Sequence, residues 1–285
     1  MSDAAAWPAP AKLNLLLRIV GRRTDGYHLL QTVFQFTDLC DSLRFEPRED
    51  GEIRRVSDLS GVAPEQDLVV RAARLLQTAA GCRRGADIQV DKHIPMGGGL
   101  GGGSSDAATT LVALNHLWGC GLDRGALMAL GLQLGADVPI FVHGHAAWAE
   151  GVGEELTDIS PDTPYYVLLL PDVHVDTGRV FQDPELTRNS PRITIRDFLA
   201  GESANDCLAV VRKRYPGVAQ AIDWLGEFAE ARLTGTGACV FAACSSRDEA
   251  GALLARRPAG LGGWVVRGLN RSPLRDRLLE AQSDE

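Results

Sequence analysis

Pro95-Met96-Gly97-Gly98-Gly99-Leu100-Gly101-Gly102-Gly103-Ser104-Ser105-Asp106 stands between two segments of opposite periodicity. Before it, Ala86, Ile88 and Val90 alternate as in a strand; after it, Ala107, Leu111, Leu114 and Trp118 recur at helical spacing. Ser104, Ser105 and Asp106 mark the expected start of that helix. Glycines at a strand-to-helix junction let successive backbone N–H groups approach an anion without obstruction by Cβ. The helix N-terminus adds unpaired donors and a favourable dipole. Residues 95–105 therefore read as a phosphate-binding loop. No lysine follows the glycines, which excludes a Walker A loop. Gly97, Gly99 and Gly102 satisfy G-x-G-x-x-G, but any glycine-rich run does so, and Asp123 sits in a loop-like CGLDRG instead of ending a strand, which disfavours a dinucleotide fold.

Working outward, Lys12 to Val20 and Thr32 to Phe36 suit strands, Pro47 to Gly61 a polar hairpin end or surface loop, and Asp67 to Ala80 an amphipathic helix. On the other side, a helix is expected from Asp123 to Leu134, ending near Gly135. Pro139 favours extended backbone at Val138, so Ile140 to Ala149 is expected to be a strand. The acidic, aperiodic stretch Gly151 to Pro164 is the candidate boundary between an N-terminal body, 1–155, and a C-terminal body, 156–285. The second body reads as strands at Tyr165–Leu170, Gly237–Ala243 and Trp264–Arg267, with helices at Val210–Tyr215, Val218–Ala229 and Arg247–Arg256. The class is α+β.

With 285 residues, 45% of them hydrophobic, the chain has enough apolar material for two packed sub-domains. Its formal net charge of -8 provides no basic field for nucleic acid or an anionic membrane, so any phosphate must be held locally. The six cysteines form no C-x-x-C pair and read as reduced thiols of a cytoplasmic protein. Lys12 and Arg18 interrupt the first apolar stretch, which argues against a signal peptide, and Tyr165–Leu170 falls far short of the ~20 apolar residues a bilayer span needs.

Two further sites suggest group transfer. In Leu134-Gly135-Ala136-Asp137-Val138-Pro139, Asp137 is a carboxylate isolated among small and apolar residues, able either to accept a hydroxyl proton or simply to cap a turn. Lys12 and Asn14, two apart on one strand, point to one face. There the ammonium could stabilise an alkoxide or phosphoryl oxygen while the amide orients a hydroxyl; a solvated strand face is the alternative. Leu233-Thr234-Gly235-Thr236-Gly237-Ala238-Cys239-Val240-Phe241 permits close backbone approach to a ligand or to the first loop, although alone it reads as a turn. His143 and His145 would share a strand face but lack a third ligand, so no metal site is expected.

Together, PAKLNLLLRIVGRRTDGYHLLQTVFQ, PMGGGLGGGSSDAA, LGADVPIF, GHAAWAEGVGE, DPELTRN and RLTGTGACVF resemble the GHMP small-molecule kinase superfamily over nearly the whole chain. The resemblance narrows to the branch that phosphorylates 4-diphosphocytidyl-2-C-methyl-D-erythritol in non-mevalonate isoprenoid synthesis. It implies a two-domain fold with the active site in the inter-domain cleft, and ATP lying along Pro95 to Ser105 with magnesium bridging its phosphates. It implies that Asp137 takes the proton from the substrate 2-hydroxyl, with Lys12 polarising that group. Asn14, Tyr27 and His28 would contact the cytidine diphosphate compound, and Phe181 would stack on cytosine opposite Tyr27, with Thr177 nearby. Asp67 and Asp106 stand where related sequences often carry asparagine. Another superfamily member, acting on mevalonate-pathway substrates or homoserine, would keep the glycine loop but change the substrate wall; the DGYH segment argues against it. A silent binder would be expected to have lost Lys12 or Asp137. The expected partners are small molecules only, with the chain a monomer or homodimer.

Overall fold

The computed structural model describes residues 5–58 and 63–283. A long antiparallel hairpin, β1 (Trp7–Arg22) and β2 (His28–Arg48), opens the chain, followed by β3 (Ile53–Arg55), α1 (Leu68–Ala79), β4 (Gly85–Asp91) and α2 (Gly102–Leu117). Next come α3 (Arg124–Leu134), α4 (Val138–His143), β5 (Ala147–Glu150) and β6 (Glu155–Asp158). The remainder runs β7 (Tyr165–Leu170), α5 (Thr177–Gln182), α6 (Ile195–Leu199), α7 (Leu208–Arg214), α8 (Pro216–Gly226), β8 (Arg232–Leu233), β9 (Val240–Cys244), α9 (Arg247–Ala255), β10 (Gly262–Leu269) and α10 (Pro273–Ser283).

β2 organises the N-terminal half. One edge carries β1, and the other is shared by β5, β10 and β4 in turn. β10 links the halves, pairing with β7 through Arg267 and then with β2 at Gly268 and Leu269. The result is a mixed sheet in the order β3-β4-β2-β10-β7-β9-β8, in which β3–β4 is a parallel pair. α2 is buried along Ser105–Leu114, packed between β1–β2 and the helices α1, α3 and α4. Ala107, Ala108, Leu111, Val112, Ala113 and Leu114 are buried on every side of it, as in a helix with an interior position. α10 returns from the far end of the chain to cover β1 and α2, its Leu274 and Ala281 joining the core of the first half. No helix among the described residues is long and apolar enough to cross a membrane.

Two local expectations are overturned. Ile140–His143 is the body of α4, not a strand; after an isolated bridge from His145 to Arg271, strand pairing starts at Ala147. Pro139 lies in the first turn of α4, where its missing N–H would have had no helical partner, so it starts the helix instead of breaking it. α2 begins at Gly102 with Gly101 as its cap, φ 74°, ahead of the expected Ser104–Asp106 start. Ser105 and Asp106 are therefore buried within the first turns. The stretch Pro47–Gly61 contains the end of β2 and all of β3, and its residues 59–61 lie outside the described residues. By contrast, Asp67 and Asp123 cap α1 and α3 through side-chain bonds to the N–H groups of Val69 and Ala126.

Candidate active site

A cleft of about 720 Å³, within the range of small-molecule sites, opens between the β1–β2 hairpin, the glycine loop and the start of α5. Its walls include Lys12, Asn14, Tyr27, His28, Gly99, Gly101, Ser104, Asp137, Thr177 and Phe181. Most of the expected catalytic and substrate residues thus meet in one place, although they come from distant parts of the chain.

β1 carries irregularities on both sides of the Lys12–Asn14 pair, between Pro10 and Lys12 and between Asn14 and Leu16. Such bulges re-aim side chains at sites. Lys12 and Asn14 share a face and touch: Lys12 Nζ donates to Asn14 Oδ1 at 2.6 Å. It also donates to the Gly99 carbonyl at 3.1 Å and lies 3.2 Å from Asp137 Oδ2. The three protons of the ammonium are matched by three acceptors. Nζ further sits 5.5 Å from the centre of the Phe34 ring, a cation–π contact. Lys12 is only 3% exposed, so the solvated-face alternative does not hold.

Asn14 is fixed in turn. Its Nδ2 donates to Thr32 Oγ1 at 2.9 Å, and its backbone N–H donates to Thr234 Oγ1 at 3.1 Å. Asp137 occupies the cap position of α4, yet its carboxylate makes no capping bond there. Its side chain keeps 37% exposure beside the Lys12 ammonium. A carboxylate held next to a cation, in contact with solvent and free of structural duty, is available to a substrate hydroxyl.

The glycine loop is built with its carbonyls turned into the protein. The carbonyls of Gly97 and Gly98 accept from the N–H groups of Ala238 and Cys239, and that of Leu100 from the N–H of Lys12, at 2.9–3.2 Å. The Gly99 carbonyl accepts from Lys12 Nζ and, at 3.3 Å, from Thr234 Oγ1. A trans peptide sets each C=O antiparallel to the next N–H, so the N–H groups of Gly98 to Gly101 point away from these contacts. The first N–H groups of α2 also lack helical partners. Donors so arranged suit an anion. The loop leaves no room for side chains: a Cβ on Gly99 would lie 2.5 Å from the Thr234 carbonyl, and one on Gly101 2.8 Å from the Phe141 ring.

The other loop residues divide by role. Leu100 and Ser105 are buried, Met96 is exposed, Pro95 is half-buried, and Gly102 and Gly103 open α2. Behind the loop, Lys92 Nζ is hydrogen-bonded to Asp41 Oδ2 and, at 2.7 Å, to Asp106 Oδ2. Burial pushes the Asp106 carboxyl up to about 7, with the Lys92 ammonium opposing and the Asp41 charge adding to the shift. Among the described residues no cluster of three or more His, Cys, Asp or Glu could hold a metal, and the expected His143–His145 strand pair is split by the α4 terminus at Gly144.

At the opposite wall, the Phe181 ring stacks on His28, centroids 5.1 Å apart and planes at 27°, while Tyr27 is exposed. Thr177 Oγ1 lies 2.8 Å from Thr236 Oγ1, which ties α5 to the 234–237 run. Sequence reasoning singled out that run as capable of close approach but assigned it no site role; Thr234, Gly235 and Thr236 all prove to adjoin the site. Thr32 and Arg188 went unassigned as well. The only available signal was their position inside the quoted motifs.

Residues 67–145 match the GHMP kinases N terminal domain and residues 192–260 the GHMP kinases C terminal domain. The chain is 57% identical to 4-diphosphocytidyl-2-C-methyl-D-erythritol kinase of Nitrosococcus oceani, over 95% of this chain and 97% of that protein. It is 56% identical to the enzyme of the same name from Dechloromonas aromatica, over 94% and 98%. Its fold superposes on a crystal structure of 4-(cytidine 5'-diphospho)-2C-methyl-D-erythritol kinase with a TM-score of 0.81 and 33% identity, covering 93% of this chain and 99% of that one. A mevalonate kinase crystal structure gives a TM-score of 0.71 at 14% identity over 94% of this chain and 100% of the other, a likeness of fold alone. Identity at this level, sustained from end to end, places the chain within the 4-diphosphocytidyl-2-C-methyl-D-erythritol kinase family of the GHMP kinases, to which it belongs.

Proposed function

We propose that the chain transfers the γ-phosphoryl group of ATP to the 2-hydroxyl of 4-diphosphocytidyl-2-C-methyl-D-erythritol, giving the 2-phosphate and ADP, in non-mevalonate isoprenoid synthesis. As a GHMP kinase it is an ATP-dependent enzyme. The observation that carries the reading is the Lys12 ammonium, hydrogen-bonded at once to the phosphate loop through Gly99 and to the substrate wall through Asn14, and paired with the Asp137 carboxylate.

In this reading Asp137 accepts the proton of the attacking hydroxyl, and Lys12 stabilises the oxygen charge that develops between acceptor and phosphoryl group. In-line phosphoryl transfer asks for positioning and charge stabilisation more than for covalent chemistry. The outward N–H groups and close-packed glycines fit a polyphosphate along Pro95 to Ser105. Ser104, an oxygen donor at that end of the cleft, fits a magnesium ion carried on the nucleotide, with Asp137 kept for the substrate hydroxyl. When bound, that ion would neutralise phosphate charge beside a protein of net charge -8. Asn14, Tyr27, His28, Thr177 and Phe181 would hold the cytidine diphosphate moiety, aromatic faces against the base. Residues 1–155 and 156–285 would form the two bodies flanking the cleft, with α10 crossing back to pack on the first. In this reading the chain acts on small molecules in the cytoplasm, where its free cysteines stay reduced, as a monomer or homodimer with no nucleic-acid partner.

The test is ADP release with ATP, magnesium and 4-diphosphocytidyl-2-C-methyl-D-erythritol, for the native protein and Asp137→Ala. Turnover by the native protein with a loss of at least ~100-fold in the variant is expected. A native protein that binds ATP yet phosphorylates nothing sinks the substrate assignment. A variant within tenfold of native sinks the role of Asp137.

A further inference from the structure

Arg188 has been assigned no role in the site, yet it joins several parts of the cleft wall. Its Nε donates to His28 Nε2 at 3.2 Å. Nη2 donates to the carbonyls of Phe181 and Asp183 at 2.9 and 2.8 Å, and Nη1 to that of Leu186 at 3.1 Å. One planar guanidinium thereby fixes the end of α5, the loop after it and the His28 ring. A lysine, with a single point of charge, has no comparable fork.

The contact has a chemical consequence for His28. A ring nitrogen that accepts a hydrogen bond carries no proton, so the neutral imidazole must bear its proton on Nδ1. The cationic form is disfavoured, because partial burial and then the Arg188 and Arg22 charges hold the His28 pKa below its ordinary value. Asp25, the other charged residue of the turn that lines this wall, makes its ion pair with Arg23. No described residue hydrogen-bonds Nδ1, while Phe181 covers one ring face. His28 therefore offers the cleft a single, defined donor.

We propose that Arg188 is a positioning residue for base recognition: it locks His28 in the Nδ1–H tautomer, which selects a pyrimidine with an acceptor at the edge His28 reads. Read at position 3, cytosine offers the acceptor N3, whereas uracil carries N–H there and would set donor against donor; O2 is an acceptor in both bases and does not discriminate. Arg188 thus converts an amphoteric ring into a cytosine-selective one. The inference rests on the reading of the substrate as a cytidine diphosphate compound.

The experiment combines spectroscopy with kinetics. Long-range 1H–15N correlation of the ligand-free, 15N-labelled native protein at neutral pH should show His28 protonated on Nδ1 and bare on Nε2. In Arg188→Met the ring should move toward the Nε2–H form that a free side chain favours. In steady state, the native preference for the cytidine substrate over its uridine counterpart, expected at about 10- to 100-fold in kcat/KM, should collapse to near unity in Arg188→Met. The change should fall on KM, with kcat and the ATP KM held. Mere loosening of the wall would weaken both pyrimidine forms alike and leave the ratio intact; that result overturns the proposal. A native spectrum with Nε2–H overturns it alone, and that measurement needs no variant to fold. If native protein turns over neither pyrimidine form, the proposed function falls and takes the inference with it, an outcome distinct from the other two.

Discussion

Replacing Gly99 by alanine tests the claim that the phosphate loop is pressed against the 234–237 run because only a hydrogen fits there. Gly99 has φ +75°, and a Cβ on it would stand 2.5 Å from the Thr234 carbonyl oxygen and 3.0 Å from that of Gly237. Two costs add. The left-handed conformation costs an L-residue about 1–2 kcal/mol. Forcing a methyl into a packed contact with backbone, which cannot rotate aside, costs a further ~1–3 kcal/mol. Gly119, φ +66° with nothing within 4 Å of its Cβ position, provides the control, since alanine there meets only the first cost. Urea unfolding followed by far-ultraviolet circular dichroism should place Gly119→Ala about 1–2 kcal/mol below native. Gly99→Ala should lie a further ~1–3 kcal/mol lower. Because the Gly99 carbonyl is also an acceptor for Lys12 Nζ, displacing the loop should raise the ATP KM and lower kcat together, whereas Gly119→Ala should leave both unchanged. Equal stability costs at the two positions, within ~0.5 kcal/mol, would refute the steric account of the loop.

Two other perturbations follow from the same geometry. Lys12→Met keeps the stem but removes all three donated contacts; kcat should fall by about 10²–10³, and the buried Asn14 Oδ1, left with only the long Thr234 hydroxyl contact at 3.5 Å, should cost ~1–3 kcal/mol of stability, read by steady-state kinetics and thermal melts. Activity within tenfold of native would remove Lys12 from the chemistry. Asp106→Asn tests the buried cluster behind the loop. With its carboxyl pushed up to about 7 from an ordinary 3.8, the folded state holds a proton that the unfolded chain has released, so stability drains as pH rises between those values. The amide carries no such penalty, so the variant should gain in Tm over native at pH 8 relative to pH 5; an equal difference at both pH values would show that Asp106 is not held protonated.

Much of the site was legible because its signals are local. Period two predicts that Lys12 and Asn14 share a face, and their side chains touch. Glycines between an alternating segment and a helical one predict a close-packed loop at that junction, and the loop stands there. The errors were local rules outvoted. Pro139 favours extended backbone at Val138, but a proline in a first turn is compatible with a helix, and α4 packs its Phe141 against Phe36 and the loop at Gly101. The two residues of α2 ahead of Ser104, Gly102 and Gly103, depend on the left-handed Gly101, whose neighbours come from elsewhere in the fold.

By itself, then, the sequence determined the α+β class and marked the glycine loop and the candidate acid and lysine, since hydrophobic period and glycine placement act over a few residues and are written in order along the chain. Tertiary structure alone decided that Lys12 Nζ reaches Asp137, that Thr234 steadies both Asn14 and Gly99, that α10 completes the first core, and that Arg188 grips His28. Those pairings join segments far apart in sequence through packing, and no segment carries a periodicity that names its distant partner.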